Sequence, residues 1–103
     1  MASYRLTPAA RASLREIARW TRERFGPRQA ADYREALIAT FARIADGTAA
    51  SRSLRDTLAP EAPEDLRVAR SGRHLVLFRE RDGKVEITDV LHGAMDLPRR
   101  VRG

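Results

Sequence analysis

A two-residue Asp82-Gly83 sequence between two β-rich segments most constrains how this chain can fold. Asp-Gly favours a tight hairpin, because the preferred turn needs positive φ at both central residues. With these residues as the loop, Arg79 lies opposite Glu86. Such an oppositely charged cross-strand pair contributes about 0.2–1 kcal/mol. The turn and the charge pair therefore predict the same strand register.

The N-terminal half predicts a short strand followed by two helices. Residues 3–7 alternate polar and apolar, and Thr7-Pro8 is a typical N-cap with proline at the first helical position. Apolar residues then recur at helical spacing through residues 10–25 and 27–46, separated by Gly26-Pro27. The expected fold class is α+β with the order β-α-α-β-β-β. It has an N-terminal strand, an antiparallel helical hairpin and a three-stranded antiparallel sheet.

Both faces of the predicted sheet carry apolar side chains. In the expected register, one face holds Val76, Phe78, Val85, Ile87 and Leu91, and the other holds Leu75, Leu77 and Val90. The helical hairpin can cover only one face. Leu75, Leu77 and Val90 are therefore expected to form an exposed stripe rimmed by arginines, which is typical of a binding surface. The alternative is that sheet curvature and the C-terminal tail cover the stripe. Asp89 fits poorly, because this register points it toward the core, and either a bulge or a hydrogen bond would resolve the conflict.

Size and composition indicate one globular domain over residues 1–103, with 43% hydrophobic and 33% charged residues. The chain has no cysteine, which excludes disulfides, and its histidines and carboxylates lack metal-ligand spacing, so neither a metal nor a cofactor is expected. The longest apolar run, Leu75–Phe78, is too short to span a membrane, and the first residues lack a signal-peptide pattern. A cytoplasmic protein without membrane association is expected.

The charge distribution favours an acidic partner. The net charge is +6, which favours binding to nucleic acid or to an acidic protein segment. Residues 48–65 differ, with four acidic and two basic side chains. Because this stretch also contains Pro60 and Pro63, it is predicted to be a polar connector.

Four segments, in their order and spacing, make the chain similar to ParE-type toxins of the RelE/ParE toxin–antitoxin superfamily. They are YRLTPAA from Tyr4, LREIARWT from Leu14, LRV from Leu66 with Arg73-His74, and VLHGAMDL from Val90. The resemblance implies a helical hairpin packed on an antiparallel sheet. It also implies a toxin held inactive in a hetero-oligomer by a ParD-type antitoxin, with DNA contacted only through that antitoxin. The implied target is DNA gyrase, whereas RelE-type relatives cut mRNA on the ribosome.

The two activities make different demands on the residues. RNA cleavage needs two proton-transfer groups and cations that hold the phosphate. His92, with Arg67 and Arg73, would form the nuclease set. A second proton-transfer group is missing from the expected site, because the tyrosines, Tyr4 and Tyr33, lie on the first strand and the second helix. The interpretation is a non-catalytic gyrase inhibitor, and the alternative is a RelE-like ribosome-dependent mRNA endonuclease.

Two groups of contact residues are expected. An amphipathic, acidic antitoxin segment would bind the apolar stripe and nearby arginines, namely Trp20, Arg70, Arg73, Leu75, Leu77, Arg79 and Val90. The target would bind the end of the chain, namely His92, Met95, Asp96, Arg99, Arg100 and Arg102. Structural roles are the alternatives for three of the aromatic side chains: Trp20 at the edge of the core, and His74 and His92 as hydrogen-bonded histidines.

Overall fold

In the computed structural model of the protein, residues 3–57 and 59–92 are described. The elements are β1 (Tyr4–Leu6), α1 (Pro8–Phe25), α2 (Pro27–Ala45), β2 (Arg52–Ser53), α3 (Leu54–Thr57), β3 (Arg67–Ser71), β4 (His74–Arg81) and β5 (Lys84–Leu91). The strands form one mixed sheet in the order β1-β5-β4-β3-β2, with β1 parallel to β5. The α+β class, the helical hairpin and the three antiparallel C-terminal strands are confirmed. The predicted order β-α-α-β-β-β is wrong in part, because β2 and α3 lie between α2 and β3. The predicted three-stranded antiparallel sheet is wrong in extent and type, because β2 extends it at one edge and β1 adds a parallel strand at the other.

The helical hairpin begins and turns where the sequence predicts. Thr7 Oγ1 accepts a hydrogen bond from the Ala10 amide at 3.1 Å, and Pro8 is the first residue of α1. Gly26, with φ of 94°, ends α1 and directly precedes α2. Positive φ favours glycine here, because a β-carbon would be strained in this conformation. The turn places the end of α1 beside the start of α2. No helix within the described ranges is long and apolar enough to cross a membrane.

The β4–β5 hairpin has the predicted turn. Asp82 and Gly83 have φ of 55° and 75°, as a turn with two left-handed residues requires. Arg79 pairs with Glu86 across the strands, and Arg79 Nε lies 3.8 Å from Glu86 Oε1. The register near the turn is therefore confirmed.

Farther from the turn, a bulge at Thr88 changes the register. Phe78 pairs with Ile87, but its neighbour Leu77 pairs with Asp89, so Thr88 is the extra residue on β5. A bulge of this kind reverses the side-chain alternation beyond it. The face assignments at the end of β5 were therefore wrong.

The bulge and two hydrogen bonds together accommodate the buried Asp89. Its Oδ1 accepts from Ser13 Oγ at 2.6 Å and from the Val90 amide at 2.8 Å. Ser13 lies on α1, so this carboxylate ties the helical layer to the sheet. The sequence left open whether a bulge or a hydrogen bond accommodates Asp89, and the structure contains both.

The prediction of an exposed apolar stripe is wrong. Leu75, Leu77 and Val90 are only 5%, 3% and 2% exposed. Val90 packs under the helices, because the bulge moves it to the face of Val76. Leu75 and Leu77 pack beneath residues 54–57 and 59–66. The core on this face consists of Leu54, Ala62, Leu66, Val68, Leu75, Leu77 and Leu91.

The predicted polar connector is therefore a structural cover for the second face. Its backbone is hydrogen-bonded locally, with the Leu54 amide donating to the Leu66 carbonyl at 3.0 Å. Arg55 Nε donates to the Ala62 carbonyl at 2.8 Å. These bonds allow an irregular segment to lie against apolar side chains without leaving those backbone groups unsatisfied.

Candidate functional site

An open cleft lies where the helical hairpin meets one end of the sheet. It consists of two adjoining cavities of about 450 Å³ and about 310 Å³, which share Trp20, His74 and His92. The walls come from the end of α1 and the start of α2, and the floor comes from the β3–β4 turn and the residue after β5. This site, the Trp20–His92 cleft, is formed by Trp20, Phe25, Tyr33, Arg73, His74 and His92.

Exposed aromatic side chains form one wall of the cleft. Trp20 is 41% exposed and Phe25 is 53% exposed, and their rings meet nearly edge to face at 6.0 Å. The Arg24 guanidinium lies 4.9 Å from the Trp20 ring centre, a favourable cation–π contact. The His92 ring contacts Trp20 from another side, with 5.7 Å between ring centres. Trp20 is thus neither a buried edge of the core nor an isolated surface residue, but part of an aromatic patch.

A chain of polar contacts forms the floor. Tyr33 Oη donates to the Ser71 carbonyl at 3.1 Å and is also hydrogen-bonded to His74 Nδ1. The opposite nitrogen of His74, Nε2, lies 3.3 Å from His92 Nδ1.

Burial controls the protonation of this floor. His74 is buried, and desolvation, followed by repulsion from nearby His92, lowers its pKa from 6.5 to about 4. Burial also raises the pKa of Tyr33, against smaller opposing effects from the backbone of Arg73 and His74 and from the Arg73 charge. At neutral pH both His74 and Tyr33 are therefore uncharged.

Gly72 allows the turn to approach Tyr33 closely. Its φ is 59°, and a β-carbon added there would lie 3.0 Å from Tyr33 Oη and 3.1 Å from a carbon of the same ring. A larger residue would both strain the turn and push on the tyrosine. Gly72 therefore helps to hold Tyr33 over the β3–β4 turn.

The proposed nuclease residues are only partly brought together. Arg73 and His92 line the same cavity. Arg67 lies at the far end of β3, where it donates to Ser51 Oγ at 3.0 Å and to the Ser51 carbonyl at 3.2 Å. The set His92, Arg67 and Arg73 is not assembled in this structure, because the length of β3 separates Arg67 from the cleft.

The residues expected to contact the antitoxin are also separated. Trp20 and Arg73 line the cleft, whereas Arg70 is exposed beside β2 in a different cavity of about 320 Å³. Arg79 is engaged within the chain, with Asp65 Oδ2 at 3.5 Å and Glu86 Oε1 at 3.8 Å. The buried leucines and valine of the expected stripe offer no open surface.

Tyr33, Phe25 and His74 are the cleft residues that sequence reasoning missed. Tyr33 was placed on the second helix, away from His92, but packing of α2 on the sheet brings it against His74, with 5.1 Å between ring centres. Only the pairing of a helix face with a strand end could reveal that contact. The expected target residues Met95, Asp96, Arg99, Arg100 and Arg102 lie outside the described residues.

Comparison with known proteins identifies close similarities along most of the chain. Residues 4–97 match the family described as "ParE toxin of type II toxin-antitoxin system, parDE". The chain is 35% identical over 96 residues to Toxin ParE1 of Caulobacter vibrioides, covering 93% of this chain and 94% of the relative. It is also 35% identical over 102 residues to Toxin ParE of Escherichia coli, covering 98% and 94%.

The fold is similar to that of a solved structure titled "Chromosomal ParDE TA system from P. aeruginosa". The TM-score is 0.66 at 16% sequence identity, and the similarity covers 90% of this chain and 97% of the other. At that identity, the comparison supports the shared fold alone.

Proposed function

Because the chain belongs to the ParE toxin family of type II toxin–antitoxin systems, we propose that it inhibits DNA gyrase by binding, without catalysis. We also propose that a ParD-type antitoxin neutralises it in a hetero-oligomeric complex. The gyrase target follows from the family resemblance. The observation that carries the proposal is the packing of Trp20 against His92, with 5.7 Å between ring centres. The sequence predicts that Trp20 contacts the antitoxin and that His92 contacts the target. Because the two rings touch, an antitoxin bound at Trp20 would also cover His92 and so block the target.

The chemistry of the cleft suits protein binding. Exposed tryptophan and phenylalanine rings supply apolar area that a partner can bury, and tryptophan is enriched among residues that dominate binding energy. Arg19 and Arg73 are exposed and line the cavities beside these rings. An acidic segment with an apolar anchor would complement this surface, and long-range attraction would accelerate its encounter with the toxin.

The polar groups of the floor support binding more than catalysis. The Tyr33 hydroxyl is held by Ser71 and His74, and burial raises its pKa, which disfavours the phenolate. Arg67, one of the cations expected at a phosphate, is bonded to Ser51 away from the cleft. A phosphate in the cleft would therefore lack one of the cations and the readily ionised second group that RNA cleavage needs.

One observation favours mRNA cleavage as a second candidate. Arg73, Tyr33 and His92 line one cavity, so a cation, a hydroxyl and an imidazole share a site. The experiment must therefore separate a gyrase inhibitor from an endonuclease.

The decisive experiment combines two assays on the purified full chain. Gyrase supercoiling should be inhibited by the toxin and restored by the antitoxin from the adjacent gene, while mRNA in a translating extract should stay intact. Cleavage of mRNA with unchanged supercoiling would replace the proposed function with the endonuclease. Absence of both effects would overturn the proposed target.

A matched pair of variants tests the role of the cleft. Trp20→Ala should weaken antitoxin binding by at least about 30-fold, the range expected for a hot-spot tryptophan. Ile38→Ala is the control, because Ile38 is also a large exposed side chain of the hairpin, at 36% exposure, and lies outside the cleft. Equal binding by Trp20→Ala and Ile38→Ala would show that the antitoxin binds elsewhere.

A further inference from the structure

We propose that a groove between the two helices of the hairpin binds the phosphate backbone of duplex DNA. The groove is a surface cavity of about 470 Å³, and it is called the basic groove below. Its lining residues are Ala18, Arg19, Arg22, Pro27, Ala30, Ala31 and Arg34. Of these described residues, only Arg19 also lines the cavities of the Trp20–His92 cleft. The basic groove is therefore a second surface of the hairpin.

The basic groove carries positive charge without a counter-charge. Arg19, Arg22 and Arg34 are exposed, and no carboxylate is among the described residues that line the cavity. Within residues 3–57 and 59–92, no ion pair engages any of these three arginines. An anion in the groove would therefore meet three guanidinium groups that no carboxylate of the described chain neutralises.

The positive surface continues along α1. Arg11, Arg15 and Arg19 recur every four residues and Arg22 follows after three, so these exposed side chains lie along one side of the helix. A rise of about 1.5 Å per residue makes the row about 17 Å long. Each strand of duplex DNA carries one negative charge per about 3.4 Å of helix axis. The row is therefore long enough to follow several successive phosphates.

The floor of the basic groove favours a phosphate backbone over a protein partner. Its other lining residues are alanines and one proline, namely Ala18, Pro27, Ala30 and Ala31. Protein partners typically bind through large anchors in well-packed pockets, and the aromatic rings of the Trp20–His92 cleft suit that purpose. Phosphates need only cations and hydrogen-bond donors, and the arginine fork matches a phosphate in bidentate geometry. The groove thus fits a polyanion that presents regularly spaced charge.

The same lining favours duplex DNA over a single strand. Proteins that bind single strands stack the bases on aromatic side chains, and no aromatic residue is among the described residues that line the groove. Contacts to phosphate alone carry no sequence information, so the binding is independent of sequence. The family resemblance implies DNA contact only through the antitoxin, whereas this groove gives the toxin a DNA contact of its own. The contact does not depend on the proposed gyrase or antitoxin binding.

Fluorescence anisotropy of a labelled mixed-sequence DNA duplex of about 21 base pairs, two helical turns, tests the inference with the nuclease-treated, tag-free full chain. We expect a dissociation constant of about 10⁻⁴–10⁻⁶ M, which rises steeply between about 50 and 200 mM NaCl. The double variant Arg22→Gln with Arg34→Gln should weaken binding by at least about tenfold. It should also lower the slope of log K against log salt by about 1.8, because each phosphate contact contributes about 0.9. This variant keeps Arg19, so the Trp20–His92 cleft stays intact.

Arg52→Gln with Arg81→Gln is the matched control. It removes the same charge from exposed arginines of β2 and β4 that lie outside the basic groove, and it should keep the salt dependence of the wild type. All four substituted side chains are exposed, so the circular dichroism spectra of both variants should match that of the wild type.

Four outcomes would overturn the basic groove as a DNA site. Equal losses in the two double variants would show that net charge alone attracts the DNA. Absence of duplex binding by the wild type would exclude the site, as would tighter binding of a single strand of the same length. Binding of poly-L-glutamate without binding of duplex DNA would assign the groove to an acidic protein. None of these results bears on gyrase inhibition, which the supercoiling assay measures separately.

Discussion

The two faces of the sheet are buried by different kinds of structure. On the helix-covered face, Leu37, Phe41 and Ile44 of α2 recur at helical spacing and pack on the sheet. On the connector-covered face, residues 54–57 and 59–66 lie over the sheet with one short helix, α3, and otherwise irregular backbone. A regular amphipathic pattern is thus sufficient for burial but not necessary for it. An irregular segment can do the same when local hydrogen bonds satisfy its backbone.

This difference relocates the proposed binding surface. The sheet itself offers no open apolar stripe within the described residues, since both of its faces are covered by the chain. The exposed aromatic rings instead lie beside the turn of the helical hairpin, at Trp20 and Phe25. The proposed partner would therefore approach the hairpin end of the molecule, where the sheet ends and the helices turn.

The largest expected effect tests the helix-covered face. Phe41 is fully buried and its ring contacts Tyr4 of β1 at 5.6 Å. Phe41→Ala should lower the free energy of unfolding by about 3–5 kcal/mol, through lost burial and the cavity left behind. Urea denaturation measures this loss. Ile38→Ala, on the exposed side of the same helix, should change it by less than about 1 kcal/mol.

The same measurement on Leu54→Ala tests the connector-covered face. Leu54 is also fully buried, so its truncation should cost about 2–5 kcal/mol if the connector is a firm cover. A cost below about 1 kcal/mol would mean that this face opens readily to water, and the two faces would then differ in stability as well as in form. Asp56→Ala, an exposed change in the same short helix α3, is the control.

Acid should destabilise the helix-covered side through His74. Burial lowers the pKa of His74 to about 4 in the folded state, against an ordinary value of 6.5, so the unfolded chain binds a proton first as the pH falls. The contribution of neutral His74 to the free energy of unfolding is complete above pH 6.5. It is lost as the pH falls from 6.5 to about 4. Between pH 7 and pH 5 the loss should be about 2 kcal/mol.

Chemical denaturation at pH 7, 6 and 5 measures the acid effect, and His74→Gln is the comparison. In His74→Gln, which lacks the titrating ring, the free energy of unfolding should change less between pH 7 and pH 5. Most carboxylates remain charged in this range and should contribute little to the change. Parallel curves for the wild type and His74→Gln would assign the effect to other groups.

The smallest expected effect concerns the hydrogen bonds that hold the connector. Arg55 donates to the Ala62 carbonyl and lies 3.4 Å from Glu64 Oε1. Arg55→Ala should cost about 1 kcal/mol, the usual value of one hydrogen bond. Glu64→Gln removes only the exposed ion pair and should cost less than about 0.5 kcal/mol. Equal losses would indicate that the ion pair, and not the carbonyl bond, holds the connector.

Much of the molecule is predictable from local pattern. Helical spacing, the Thr7 cap and Gly26-Pro27 predict the hairpin of helices, and Asp82-Gly83 predicts the β-hairpin with its Arg79–Glu86 pair. Each of these features depends on residues close together in the chain or on a turn that aligns two neighbouring strands. The family was likewise recognisable from short segments in order.

The cleft was less predictable than the fold. Trp20, Arg73 and His92 were identified individually, but their meeting with Tyr33 and His74 depends on how the helical layer lies on the sheet. Contacts between residues far apart in the chain do not alter the hydrophobic periodicity of the helix or the strand that carries each residue, so the sequence pattern does not predict them. The sequence could name part of the site without placing its members together.

The amino-acid sequence by itself determined the helical hairpin, the three C-terminal strands, their turns and the family, because backbone preferences and capping act over a few residues. Tertiary structure alone decided which apolar residues remain exposed. The bulge at Thr88 and the folding of residues 54–66 onto Leu75 and Leu77 reassigned both faces of the sheet. The physical reason is that burial depends on the whole packing of the chain, so an apolar stripe in a strand is a binding surface only if no other segment covers it.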